Sequence, residues 1–305
     1  MCNPLRDNGV SYGDYLEQLT YLIFLKMSDE YSKPPYRQET GIPAGYTWAD
    51  MSALKGAELE DQYKATLEEL GKQIKTVDRE NIELFVIPSF TALESAGRRA
   101  CDYGIRIGGQ NMAWEDEGQY TGEISPVMLK EAGATIAEIG HSERRHVLGE
   151  SDEMENRKVH AAIRHGMTAL LCVGETGLQR EHGIADETLR IQLKEGLYGI
   201  KPEDVSSIWI AYEPVWAIGT GGEPASAEYA CERHGVIRET LVERFGDAAY
   251  MIPILYGGSV NIQNAETLIS MPDIDGLFIG RSAWDAVQFG EIIRKVLAAF
   301  LRKHS

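Results

Sequence analysis

The chain has 305 residues, 43% of them hydrophobic, and carries 30 Lys plus Arg against 47 Asp plus Glu, a net charge of −17. That length can bury a sizeable core, enough for one large domain or for a barrel with a small appendage, and the composition excludes a disordered chain. The negative field repels nucleic acid and anionic membranes, so neither is an expected partner and an anionic substrate has to be captured locally.

The four cysteines, Cys2, Cys101, Cys172 and Cys231, show no paired spacing. Neither a disulfide framework nor a metal site is expected, and a reducing cytoplasm fits this usage. The longest apolar run, Tyr21 to Leu25, is too short to span a bilayer, and Met1-Cys2-Asn3-Pro4 lacks the regions of a signal peptide.

In chain order, residues 1–73 read as a small helical segment. Leu16, Leu19, Ile23 and Phe24 fall at helical spacing, as do Leu59, Tyr63, Leu67 and Leu70, with Pro34-Pro35 and Gly41 to Gly45 between them. From Ile82 the pattern becomes α/β: short apolar runs, each followed by a helical stretch, as in repeated βα units. The predicted strands are Ile82–Ile87, Ile105–Gly108, Thr135–Ile139, Thr168–Val173, Ser207–Tyr212, Ile252–Tyr256 and Gly276–Ile279. Leu84 to Ile87 and Leu170 to Val173 are continuously apolar, as parallel strands covered on both faces should be. Such runs alone do not separate an open doubly wound sheet from a closed barrel.

The strand ends carry more specific blocks. Gly140-His141-Ser142-Glu143-Arg144-Arg145 follows the third run and Tyr212-Glu213-Pro214-Val215-Trp216-Ala217-Ile218-Gly219-Thr220-Gly221 the fifth. Tyr256-Gly257-Gly258-Ser259-Val260 and Asp275 to Gly280 follow at the sixth and seventh. In order and spacing these blocks resemble the signatures of the triose-phosphate isomerase family over residues 74–305. The resemblance implies a TIM (β/α)8-type barrel with seven recognisable strands, lacking the first, preceded by the helical segment 1–73.

The same resemblance implies aldose–ketose isomerisation of a small phosphorylated sugar through an enediolate, without a cofactor. The family is itself the standard case of a glutamate base beside a neutral histidine, and by motif match Glu213 takes the first role and His141 the second. Pro214 to Thr220 matches the family's hinged lid. Gly219, Ser259, Gly280 and Arg281 match the phosphate-holding loops, Arg281 standing where the family usually has a second glycine. Ser142, Glu143 and Cys172 match supporting positions, Cys172 as a buried small hydrophobe. Gly118 to Glu123, with Thr121 at its tip, resembles the protruding loop that reaches a neighbouring subunit, which implies a homodimer.

Gln110 to Trp114, Gly222 to Tyr229 and Gly280 to Trp284 resemble the branch of the family acting on erythrulose phosphate. On abundance a triose phosphate is expected first and the four-carbon sugar second. The family's first-strand block, Asn-Trp-Lys-Met-Asn, has no counterpart. Leu5 to Tyr15 and Tyr21 to Glu30 resemble instead the N-terminal helical domain of type I restriction-modification DNA methyltransferase subunits, which leaves docking on such a complex as a reading of another class. The methylation motifs themselves are missing, Lys33-Pro34-Pro35-Tyr36 reading as a turn. Lys26 reads as a helix-surface lysine, the helix from Ala57 to Gln73 is expected where the family's first helix packs, and a chain without the family's lysine is expected to isomerise poorly.

Overall fold

The computed structural model describes residues 82–218, 224–283 and 286–304. The segment 1–73 with Lys26 and the helix expected from Ala57, and Gly219 of the expected lid, lie outside the described residues. The chain divides into two compact units, Met1–Asp78 with Asp285–Gly290, and Arg79–Trp284 with Glu291–Ser305. The sheet and the site lie wholly in the second.

Seven strands run parallel in the order β1-β2-β3-β4-β5-β6-β7: Phe85–Val86, Arg106–Gly109, Ile136–Ile139, Thr168–Val173, Ile208–Tyr212, Ile254–Tyr256 and Gly276–Leu277. Each expected run holds a strand, but the outer ones are short, with β1 and β7 only two residues each. The longest ladder joins β4 to β5, from Ala169 opposite Ile208 to Val173 opposite Tyr212.

Adjacent strands lie about 4.8 Å apart, so a flat seven-strand sheet would separate β1 from β7 by about 29 Å. The Phe85 ring of β1 instead lies 6.1 Å from Phe278, just after β7, and 5.4 Å from Trp209 of β5. The sheet is therefore curled into a TIM-type barrel. No ladder joins β7 to β1 among the described residues.

Alternation along the strands divides the apolar residues between two cores. Ile136, Leu170, Cys172, Trp209, Ala211 and Leu255 fill the inside of the curl with Phe85, Ile87 and Phe278. Their neighbours Ile139, Leu171 and Ile210 face outward into a second cluster that includes Val159, Leu189 and Ile237. Those three belong to the covering helices α4 (Asp152–Arg164), α6 (Ala185–Gly196) and α7 (Ala227–Phe245). Each fully buried Leu or Ile contributes about 1.5–3 kcal/mol, so this outer layer holds the helices in place. Arg106 lies at the N-terminal end of the interior, its guanidinium 5.0 Å from the Trp209 ring and 2.7 Å from Thr168 Oγ1.

Helix starts follow local capping chemistry. Ser151 and Ser226 accept N–H bonds at the heads of α4 and α7. Thr176 and Gln179 form a reciprocal capping box on α5 (Gly177–Glu181). No helix among the described residues is long and apolar enough to cross a membrane.

Candidate active site

The loops at the C-terminal ends of the strands bring His141 and Glu213 together. Glu213 follows β5 and is 3% exposed. Its position depends on Gly174, the residue after β4, where a Cβ would fall 1.8 Å from the Glu213 carbonyl oxygen. The side chain of Gln192 clamps Gly174 from both sides, accepting its N–H at 2.8 Å and donating to its carbonyl at 3.2 Å.

His141 caps the short helix α3 (Ser142–His146), and its Nδ1 accepts the Glu143 backbone N–H at 3.3 Å. The turn before it needs Gly140, whose φ is 74° and where a Cβ would meet the Glu155 carboxylate at 2.7 Å. His141 Nε2 lies 3.1 Å from Glu213 Oε1, and Glu213 Oε2 accepts the Ser142 N–H at 3.0 Å.

Burial pulls the His141 pKa down, but the Glu213 carboxylate, with Glu138 and Glu143 behind it, raises it to about 9. The backbone argues the other way. An N–H pointing at Nδ1 needs a lone pair there, and an imidazolium would set N–H against N–H. We assign the neutral tautomer with its proton on Nε2, because that backbone N–H is fixed by α3 whereas the Glu213 side chain can rotate.

Two further carboxylates belong to the site and have no sequence motif. Glu138, on β3 three residues before His141, is 6% exposed, and burial raises its pKa to about 8; His141 lowers it while Glu213 and Glu143 raise it. Glu175, fully buried after β4, accepts hydrogen bonds from Trp216 Nε1 at 2.8 Å, Tyr229 Oη at 2.9 Å and Tyr212 Oη at 3.1 Å. It thus anchors the segment that follows Glu213 through Trp216. Arg180 closes this cluster, its guanidinium 3.9 Å above the Trp216 ring. A charged residue inside the otherwise apolar Ile136-Ala137-Glu138-Ile139, and a Glu just past a strand end, are the signals that could have found them.

The phosphate-loop candidates are tied to one another and to Ala217. Ser259 Oγ donates to the Ala217 carbonyl at 2.6 Å, and Ser282 Oγ to the Val260 carbonyl at 2.7 Å. Gly257 fits between the Glu213 side chain and Phe278, where a Cβ would meet Glu213 Cγ at 3.0 Å. Gly280 faces open space and Arg281 is exposed at the rim.

Of the remaining expected residues, Cys172 is fully buried in the inner core, and burial, with Glu213 and Glu138 nearby, holds its thiol well above the usual range. Glu143 turns outward, its side chain 80% exposed. Thr121 is exposed on the loop between β2 and α2 (Pro126–Glu131). No cluster of groups able to hold a metal ion occurs among the described residues.

Comparison with known proteins shows the family and the fold. Residues 53–296 match the family model described as triosephosphate isomerase. An L-erythrulose-1-phosphate isomerase of Rhizobium etli is 50% identical over 222 residues, covering 72% of this chain and 82% of that protein. A triosephosphate isomerase of Geobacter metallireducens is 46% identical over 220 residues, covering 72% and 86%. The crystal structure of triosephosphate isomerase from Bartonella henselae superimposes with a TM-score of 0.67 at 38% identity, over 76% of this chain and 91% of that one.

Proposed function

Because the chain belongs to the triosephosphate isomerase family and is a phosphosugar isomerase of that kind, we propose that its preferred substrate is an erythrulose phosphate, with triose phosphate second. The observation that carries the chemistry is the His141–Glu213 contact at 3.1 Å, at the C-terminal ends of the strands. Relatives at 45–50% identity named for L-erythrulose 1-phosphate support this order over the one that abundance alone suggests.

In this reading Glu213 rotates off the Ser142 N–H and takes the proton from the carbon beside the substrate carbonyl. His141 donates a hydrogen bond from Nε2 to the carbonyl oxygen as charge develops there, giving an enediolate. Glu213 then returns the proton to the neighbouring carbon, and the carbonyl has moved by one position. Ser259, Gly280 and Arg281, with Gly219 of the lid, hold the phosphate through backbone N–H groups. The loop carrying Thr121 meets a second copy in a homodimer.

Turnover is slow in this reading. Among the described residues the charged groups acting on His141 are carboxylates, Glu213, Glu138 and Glu143. A fixed positive charge beside an enediolate is worth on the order of a hundredfold or more in rate. The test is to assay the purified chain with L-erythrulose 1-phosphate and with dihydroxyacetone phosphate. Modest turnover of both, with the higher kcat/KM for the four-carbon sugar, is the expected result; turnover of neither would overturn the proposal.

A further inference from the structure

We propose that Glu138 forms the wall of the pocket remote from the phosphate and hydrogen-bonds the terminal hydroxymethyl group that distinguishes a four-carbon phosphosugar from a triose phosphate. The inference rests on the isomerase reading above and names the residue that selects its substrate.

Placement comes first. Alternation along β3 puts Glu138 on the face of Ile136, which lies in the inner core, so the carboxyl points into the curl of the barrel. On the neighbouring strand its ladder partner is Leu170, another inner-core residue. Glu138 lies on the strand that carries His141, three and four strands away from β6 and β7, whose loops are the phosphate candidates. A sugar anchored by its phosphate at those loops, with its carbonyl at His141, extends its far end toward β3. In L-erythrulose 1-phosphate the carbon beyond the reacting pair lies at that far end; dihydroxyacetone phosphate has none there.

The state of the side chain is the second argument. Glu138 is 6% exposed, yet it makes no hydrogen bond or ion pair among the described residues. Its surroundings, Ile136, Leu170 and Cys172, gain nothing from a carboxyl, and burying an unpaired polar group is costly. Such a group fits where a ligand supplies the missing partner. With its pKa raised to about 8, the carboxyl is protonated at neutral pH and offers one donor and one acceptor, which match a hydroxyl without setting a second full charge beside Glu213. The groups that act on it electrostatically are His141, Glu213 and Glu143. A site built to bond a substrate hydroxyl also discriminates strongly against the analogue that lacks it, since the buried group is then left unpaired.

The test uses non-reactive ligands, so that slow turnover does not obscure it. Binding of erythritol 4-phosphate and of glycerol 3-phosphate is measured by calorimetry for the full chain, for Glu138→Leu and, as a second apolar variant of similar volume, for Glu138→Met. The full chain is expected to prefer the four-carbon phosphate by about tenfold or more, both variants to lose that preference, and Glu138→Gln, which keeps a donor and an acceptor, to retain most of it. Binding of both ligands at a ratio that neither apolar variant changes would overturn this inference alone. Binding of neither would overturn the isomerase reading of the pocket and this inference with it.

Discussion

The middle of the sheet and its two ends differ in how firmly they are specified. Strands β3 to β5 are four to six residues long and buried along their whole length, and the candidate chemistry stands directly on them. Strands β1 and β7 are two residues each and half-buried, and no ladder joins them among the described residues. In the middle, each position is fixed from several directions: Gly174 by Gln192, Glu175 by three aromatic donors, Glu213 by Ser142 and His141. Among the described residues β1 and β7 have one paired neighbour each, and the strands run only as far as that single ladder reaches. The candidate site thus stands where neighbours hold each position from several sides.

The largest effect that tests this contrast should come from Glu175→Ala. It leaves the donors of Tyr212, Trp216 and Tyr229 without their shared acceptor, and an orphaned buried donor costs about 1–3 kcal/mol. A loss of roughly 3 kcal/mol or more in denaturant unfolding is expected, together with a lower kcat from a loosened lid base. A loss below about 1 kcal/mol would mean that the middle is not held as described.

Amide hydrogen exchange sharpens the same comparison within the unaltered chain. The amides of Leu170 to Val173 and of Ile210 should exchange on the order of a hundredfold more slowly than those of Phe85–Val86 and Gly276–Leu277. Uniform protection across the sheet would show that the end strands are as stable as the centre.

A smaller effect comes from Glu138. Its folded pKa of about 8 lies above its ordinary value of 4.5, so the folded state holds the proton more tightly than the unfolded chain does. Its contribution to stability is therefore complete below about pH 4.5 and is lost as the pH rises through about 8. Glu138→Gln removes this dependence. The Tm of the variant should exceed that of the parent by a margin that grows between pH 5 and 8 and then levels off, whereas a margin independent of pH would place Glu138 in contact with water or a cation.

The smallest effect belongs to the solvent side of the helices. Lys194 and Glu243 pair at 3.0 Å between α6 and α7, but both side chains are at least half exposed, so Lys194→Ala should change stability by less than about 0.5 kcal/mol.

The sequence made the middle of this sheet more legible than its ends, for the same physical reason. Leu170 to Val173 is continuously apolar because both faces are covered, and the strand Thr168–Val173 has the expected bounds. Gly276–Ile279 and Leu84 to Ile87 are apolar too, yet the strands there span only Gly276–Leu277 and Phe85–Val86, because a ladder requires a neighbour that composition does not report. His141 and Glu213 could be read from their blocks, and the fold sets them 3.1 Å apart. Glu138 and Glu175 belong to no block; a charge inside an apolar strand and a Glu just past a strand end set them apart in the sequence, but their burial and partners come only from the fold. Gly219 and the segment 1–73 lie outside the described residues, so the boundary at 73/74 and the methyltransferase-like segment rest on the sequence alone.

The central claim is that Glu213 moves a proton on a carbon beside a carbonyl. The most direct measurement is NMR of L-erythrulose 1-phosphate and of dihydroxyacetone phosphate incubated with the chain in deuterium oxide, which detects proton exchange even when net turnover is slow. The account predicts deuterium incorporation at the carbon next to the carbonyl by the unaltered chain, and incorporation at least about a hundredfold slower with Glu213→Gln. No incorporation by the unaltered chain, or equal rates for the two proteins, would contradict it.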